Sequence, residues 1–129
     1  MIMLPSAVRI FLCTRPTDMR KSFDGLTGLV QQCFAHDPLT GHLFLFVNRR
    51  RDRIKILYFD RDGLAIWYKR LEAGSFEIPS TAQGDGVELQ ATQLTLILAG
   101  IDINSARQRK RFQLAGSIPK NGENPPRST

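Results

Sequence analysis

Three β-rich runs follow one another at residues 42–48, 53–60 and 64–71, and the shortness of their links constrains the fold more than any other feature. The first link holds Arg49-Arg50-Arg51-Asp52; the second is Asp60-Arg61-Asp62-Gly63, with Asp-Gly as a hairpin signal at its end. This spacing predicts an antiparallel three-stranded meander. In the second run Arg53 and Lys55 point one way while Ile54 and Ile56 point the other. Its continuation, Leu57-Tyr58-Phe59, is apolar on both faces, so one end of the sheet is expected to be covered on both sides.

The flanking segments are less regular. Val8-Arg9-Ile10-Phe11-Leu12 is β-rich and reads as a first strand. Residues 14–18 contain Pro16 and read as a loop feeding a helix start. From Asp18, the apolar positions Met19, Phe23, Leu26, Leu29, Val30 and Phe34 fall at helical spacing, weakened by Gly25 and Gly28, which could divide the helix into two pieces. Asp37-Pro38-Leu39-Thr40-Gly41 is a turn. Beyond Leu71, Phe76-Glu77-Ile78 and Val87-Glu88-Leu89 read as short strands around a polar loop. Thr92 is the expected N-cap of a final helix that buries Leu94, Ile97 and Leu98 and ends at Gly100.

The expected fold class is α+β: an antiparallel β-meander of three to five strands packed with one or two helices. Residues 1–112 form the single domain in this reading, and residues 113–129 a flexible, disordered C-terminal tail after the basic run at 107–111. With 129 residues, 42% hydrophobic and 23% charged, the chain can bury a core without staples. No apolar run approaches the roughly 18 residues that a bilayer span requires. The apolar start stops at Pro5, too short for the core of a signal peptide, and Cys13 and Cys33 are too few for a disulfide scaffold. A cytoplasmic protein with reduced thiols is expected.

The net charge of +6 hides an uneven distribution. Residues 1–48 carry four basic and three acidic side chains, and residues 49–70 carry eight against three. Residues 71–103 hold five acidic residues and no basic one, and residues 104–129 hold six basic and one acidic. Two basic blocks flanking an acidic one point to a polyanion, nucleic acid before an anionic membrane surface. The plainer reading is that these cations only solvate surface strands.

Convergent chemistry is missing. Asp60 and Asp62 flank a turn, where Asp bonds neighbouring backbone N–H groups, and Leu64 and Ile66 stand where a Ca²⁺ loop needs oxygen ligands. His36, His42, Cys13 and Cys33 show no zinc-ligand spacing. Cys33 falls on the helical stripe, a core position more often than a nucleophile. Neither a nucleophile elbow nor a phosphate-cradling Gly-rich loop is present. The sequence supports no catalysis, metal or cofactor.

The basic constellations are the positive signal. Arg49, Arg50 and Arg51 project from a hairpin loop, and Arg53 and Lys55 continue along one strand face, a ribbon suited to following a duplex backbone or its major groove. Trp67, Tyr68, Lys69 and Arg70 add aromatic and cationic groups on the neighbouring strand. A lone Trp in a strand is usually core, so base stacking on Trp67 is the weaker reading. Arg20 and Lys21 follow the expected helix start at Asp18, where free N–H groups would help to hold phosphate; an ordinary solvated first turn is the alternative. Arg107, Arg109, Lys110 and Arg111 form a charge run resembling an arm that gathers phosphates without reading bases.

These motifs occur in a recognisable order. Asp18-Met19-Arg20-Lys21-Ser22-Phe23-Asp24-Gly25-Leu26 is followed by Asp37-Pro38, Gly41-His42-Leu43-Phe44, Phe46 and the run from Asn48 through Leu57. Asp62-Gly63-Leu64, Trp67-Tyr68-Lys69-Arg70-Leu71-Glu72 and Gly100-Ile101-Asp102 complete the set. Over roughly residues 5 to 112 the chain resembles the TnpB accessory family of bacterial insertion sequences of the IS-sixty-six type. The far larger RNA-guided nucleases that share the TnpB name carry an acidic catalytic site that this chain lacks. The resemblance implies a part in DNA transposition beside a TnpA-like accessory protein and the DDE transposase that performs strand chemistry. It supplies no catalytic residues.

The reading that follows is a non-catalytic accessory protein, bacterial and cytoplasmic, nucleoid-associated when acting, that binds DNA at the element ends and assists the transposase. The alternative is a protein–protein adaptor whose acidic stretch meets a basic surface of the transposase. Hairpin edges also suggest self-pairing into a homodimer.

Overall fold

The structure, a computed structural model, describes residues 8–79 and 84–100. Along the chain run β1 (Ile10–Cys13), α1 (Phe23–Phe34), a 3-10 turn (Pro38–Thr40), β2 (Leu43–Val47), β3 (Arg53–Asp60), β4 (Gly63–Arg70), β5 (Gly86–Leu89) and α2 (Ala91–Ala99). The five strands form one sheet in the order β4-β3-β2-β1-β5. An α+β fold with a mostly antiparallel sheet is what the sequence indicates, and β2, β3 and β4 form the expected meander. The outer pairings differ. β1 lies parallel to β2, with Ile10 opposite Leu43, because α1 provides the long crossover that a parallel return needs. β5 then pairs antiparallel with the free side of β1.

Both faces of the sheet are covered. One carries Phe11, Cys13, Phe44, Phe46 and Leu57 beneath Leu26 and Val30 of α1. The other carries Ile10, Leu12, Leu43, Leu45, Ile54 and Ile56 beneath Phe76, Ile78, Leu94 and Ile97. That explains Leu43-Phe44-Leu45-Phe46-Val47: a central strand buried on both sides does not alternate. Burial of Leu94 and Ile97 on α2 agrees with the stripe read from the sequence, while Leu98 is partly buried.

Several boundaries are corrected. α1 begins after Ser22 rather than at Asp18, and it runs unbroken through Gly25 and Gly28. Residues 76–78 form no strand; they lie across the sheet as an irregular cover, with Phe76 and Ile78 buried. Burial drives this segment inward, and its backbone finds partners elsewhere: Phe76 N–H donates to the Arg51 carbonyl at 2.6 Å. α2 is capped by Gln90, not Thr92, through reciprocal bonds with Gln93, two residues earlier than the Thr suggests. Gly100 ends it in a left-handed conformation, as expected. In the β3–β4 hairpin the left-handed residue is Arg61 rather than Gly63, and a bond from Asp62 N–H to the Asp60 carbonyl closes the turn over three residues. The division at residues 112 and 113, and the tail, lie outside the described residues.

One side chain joins the first layer to the sheet. Lys55 leaves β3 on the α1 face and is only 7% exposed. Its ammonium donates to the carbonyls of Met19 at 2.9 Å and Lys21 at 2.7 Å, and lies 4.7 Å from the centre of the Tyr68 ring. The segment leading into α1 has no strand partner of its own, so this cation supplies what a ladder would. Replacing Lys55 by Met keeps the stem and removes the amine, leaving two carbonyls short of a donor. Urea unfolding should show a loss of about 2 kcal/mol, the usual scale for hydrogen bonds to a charged group.

Gly86 marks a second close approach. A Cβ there would stand 2.5 Å from the Phe34 ring and 2.9 Å from the Cys33 carbonyl, so β5 passes the end of α1 without room for a side chain. Gly86→Ala should lower stability by about 1–3 kcal/mol, the range for overpacking, measured by the same unfolding experiment.

Candidate nucleic-acid interface

Most basic residues of the middle block gather at one end of the sheet, where β3 begins and β4 ends; Arg61 lies in the β3–β4 turn at the other end. The turn from β2 to β3 is held from within. Asn48 Oδ1 accepts the N–H groups of Asp52 and Arg53 at 3.1 and 3.0 Å, and Asn48 Nδ2 donates to Asp52 Oδ1 at 2.7 Å. That last bond holds the Asp52 carboxyl below its ordinary pKa. Leu71 N–H donates to the Asp52 carbonyl at 2.7 Å, so the cover segment braces the turn from outside. Arg51 is left-handed, with φ 61°, a conformation that β-carbon sterics disfavour in residues other than glycine. The three arginines therefore stand exposed on a backbone that is fixed.

Facing this turn is the segment before α1. Thr17 N–H donates to the Val47 carbonyl at 2.8 Å, bringing the two walls together. Between them lies a cleft of about 450 Å³, lined by Pro16, Thr17, Asp18 and Met19 on one side and Asn48, Arg49, Arg50 and Arg53 on the other. The Thr17 hydroxyl is buried and has no hydrogen-bond partner.

Arg20 and Lys21 follow Met19 in the chain, exposed, at a turn rather than in the first helical turn. Their expected place at a helix N-terminus is thus corrected, because the helix starts only after Ser22. Asp18 holds Arg20 instead: it accepts the Arg20 backbone N–H at 2.9 Å and the guanidinium at 2.7 to 3.1 Å. The guanidinium keeps 91% of its exposure, so the clasp orients it without hiding it.

On β4 the register sets Arg70 directly opposite Arg53, and Tyr68 opposite Lys55. Like charges facing across strands repel. Each arginine turns to a neighbour, Arg53 to the Tyr68 hydroxyl at 3.4 Å and Arg70 to Glu72 at 3.2 Å. Tyr68 is 47% exposed, whereas Trp67 points to the opposite face and packs on the core. Of these two, Tyr68 is thus the aromatic available to a ligand. Its strand position two residues before Arg70 was the sequence signal for that. Lys69 is exposed on the Trp67 side of the strand. Lys55 does not join this surface, since its amine is engaged internally. Arg107, Arg109, Lys110 and Arg111 lie outside the described residues.

The acidic block does not form a free acidic face within the described part. Glu88 pairs with Arg9 at 2.8 Å, Asp85 with Arg15 at 3.3 Å and Glu72 with Arg70 at 3.2 Å. The first two neutralise arginines of the N-terminal block and leave the middle block largely uncompensated. His42 accepts the Arg9 backbone N–H at its Nδ1, and burial lowers its pKa, so it stands as a neutral structural group. Among the described residues no three His, Cys, Asp or Glu gather as metal ligands, and no helix is long and apolar enough to cross a membrane.

The chain matches the family described as IS66 Orf2 like protein over residues 8–108, which includes every strand and helix described above. The chain belongs to the IS66 Orf2-like family. Two relatives come from Sinorhizobium fredii. One, named uncharacterized protein y4hO, is 39% identical over 102 residues, covering 78% of this chain and 88% of the relative. The other, named uncharacterized protein y4jC, is 31% identical over 102 residues, covering 79% and 86%. No solved structure matches the chain. An IS66 Orf2-like protein is a transposition-associated accessory protein, and the family is not one known for catalysis.

The Arg20 clasp makes a titration prediction for this family member. Hydrogen bonds from the Arg20 side chain, then from its backbone, hold the Asp18 carboxyl down to about 2. A depressed carboxyl pKa means the pair is intact above the ordinary Asp range and is lost only as pH falls through about 2. Carboxyl-detected NMR should show that low midpoint, and Arg20→Ala should return it toward about 3.9.

Proposed function

We propose that this IS66 Orf2-like protein is a non-catalytic DNA-binding accessory factor of transposition that grips duplex phosphates with the basic end of its sheet. The observation that carries the reading is the union of segments far apart in sequence. Arg20 and Lys21, next after the Met19 wall and tied to β3 through the Lys21 carbonyl, Arg49 and Arg50 in the cleft, and Arg53 opposite Arg70 bring cations together from separate segments. Mutual repulsion among them is relieved when phosphates enter, and release of condensed counterions adds a sequence-independent driving force. Arg49 and Arg50 are placed to take backbone phosphates, which position a protein without reading bases. Tyr68, exposed beside the Arg53–Arg70 pair and two residues before Arg70, offers a ring face to a sugar or base.

In this proposal the DNA is that of the element ends, and the transposase and a second accessory protein of the same element are the protein partners. The working compartment is the bacterial cytoplasm, at the nucleoid. The adaptor reading is less favoured because Glu72, Asp85 and Glu88 are each engaged with an arginine of the same chain. A homodimer through β4 would use a sheet edge, although Lys69 and Arg70 charge one end of it. Sedimentation at the monomer mass would remove that part of the proposal.

The test is fluorescence anisotropy of labelled element-end duplex at several salt concentrations. Wild type should bind in the micromolar range or tighter, with log affinity falling by roughly 0.9 per neutralised phosphate for each log unit of salt. An Arg49/Arg50/Arg51→Glu variant should bind more weakly, with a slope shallower by about one unit for each phosphate it no longer engages. Absence of salt-dependent binding by wild type overturns the DNA reading and favours the adaptor.

A further inference from the structure

The basic end leaves one chemical feature unused. Cys13 closes β1 and Cys33 lies in the last turn of α1, 20 residues apart in sequence, yet their sulfur atoms stand 3.4 Å from each other. Both are free thiols. A disulfide needs sulfurs at about 2.05 Å, so the pair has only about 1.4 Å to close.

The two thiols are not equivalent. Cys13 is 1% exposed, and burial, with the Cys33 thiol next in weight, pushes its pKa up to about 11, so it keeps its proton. Cys33 is only partly buried, and Arg15 Nη2 donates to its sulfur at 3.2 Å. A cleft of about 270 Å³ opens on the Cys13 side of the pair, lined by Cys13, Arg15, Pro16, Thr17, Lys21 and Gln32 among others, while Cys33 is itself partly exposed. The guanidinium at the sulfur argues against a bound metal cation, and no third ligand joins the thiols among the described residues.

We propose that Cys13 and Cys33 form a reversible modification site, with hydrogen peroxide or a related hydroperoxide as the reactant. Cys33, as thiolate, attacks one peroxide oxygen and breaks the O–O bond. The leaving hydroxide takes up the thiol proton as water, and Cys33 becomes a sulfenic acid. Cys13 sulfur then attacks the Cys33 sulfur, forming the S–S bond and expelling hydroxide, which carries off the Cys13 proton as a second water. Two thiols lose two electrons in total, and one hydrogen peroxide becomes two waters. The product bonds the end of β1 to the end of α1. Arg15 then no longer has a free Cys33 thiol as its acceptor and retains Asp85 at 3.3 Å.

Peroxide treatment of the purified full chain, followed by intact mass and peptide mapping, tests this. The expected product is a monomer lighter by two hydrogens, cross-linked between Cys13 and Cys33 and restored by dithiothreitol. Cross-linking should be at least about tenfold faster in native protein than in urea, since folding raises the effective concentration of one thiol at the other. In Cys13→Ser, dimedone should trap a sulfenic acid on Cys33, and Arg15→Ala should slow the first step. Equal rates in native and urea-unfolded protein overturn the proposal, as does oxidation of wild type that stops at methionine sulfoxide. These readouts need no DNA and stand apart from the binding proposal.

Discussion

A single buried ammonium organises the basic end of this molecule. Lys55 sits on a central strand, where an apolar residue would serve the core, and it spends its charge on the carbonyls of Met19 and Lys21. A charge this buried is tolerable only when hydrogen-bonded, and two carbonyls with an aromatic face meet that need. Because the amine fixes the chain just ahead of α1, it also fixes where Arg20 and Lys21 stand and where the Pro16–Met19 wall of the cleft runs. The loop has few other ties to the sheet. Thr17 N–H to the Val47 carbonyl is one of them.

The arginine turn follows a related logic by a different route. Its cations are exposed, so nothing they do can hold the backbone. Asn48 and Asp52 close the turn from inside, and the cover segment after β4 accepts the task from outside through Leu71 and Phe76. For the DNA binding proposed above, a fixed backbone under exposed cations would lower the entropy lost as phosphates are engaged. Membership of the IS66 Orf2-like family extends over this whole framework, from β1 through α2.

Legibility in the sequence was uneven for physical reasons. The β2–β3–β4 meander could be read because its pairings are local and its alternation is sharp at Arg53-Ile54-Lys55-Ile56. The helix start was misplaced because Met19 continues the apolar spacing of α1, although its carbonyl is held by Lys55 and not by a helical ladder. Phe76 and Ile78 looked like strand residues because apolar alternation reports burial, and they are buried without pairing. Lys55 carried the same signal as Arg53, since period-two alternation names a face and not what covers it. For the same reason Trp67 and Tyr68 were adjacent aromatics until register placed one in the core and the other at the surface.

What the sequence determined by itself was local: the three runs of the β2–β3–β4 meander, where Gly100 stops a helix, and how basic and acidic residues divide along the chain. Those follow from side-chain periodicity, backbone conformation and formal charge, each a property of neighbours in sequence. Tertiary structure alone decided the parallel β1–β2 pair, the engagement of Lys55, the pairing of Asp85 and Glu88 with Arg15 and Arg9, and the approach of Cys13 to Cys33. Each joins residues 20 or more apart, as from Cys13 to Cys33. Periodicity holds no record of such distances; closing the chain around one shared core creates them.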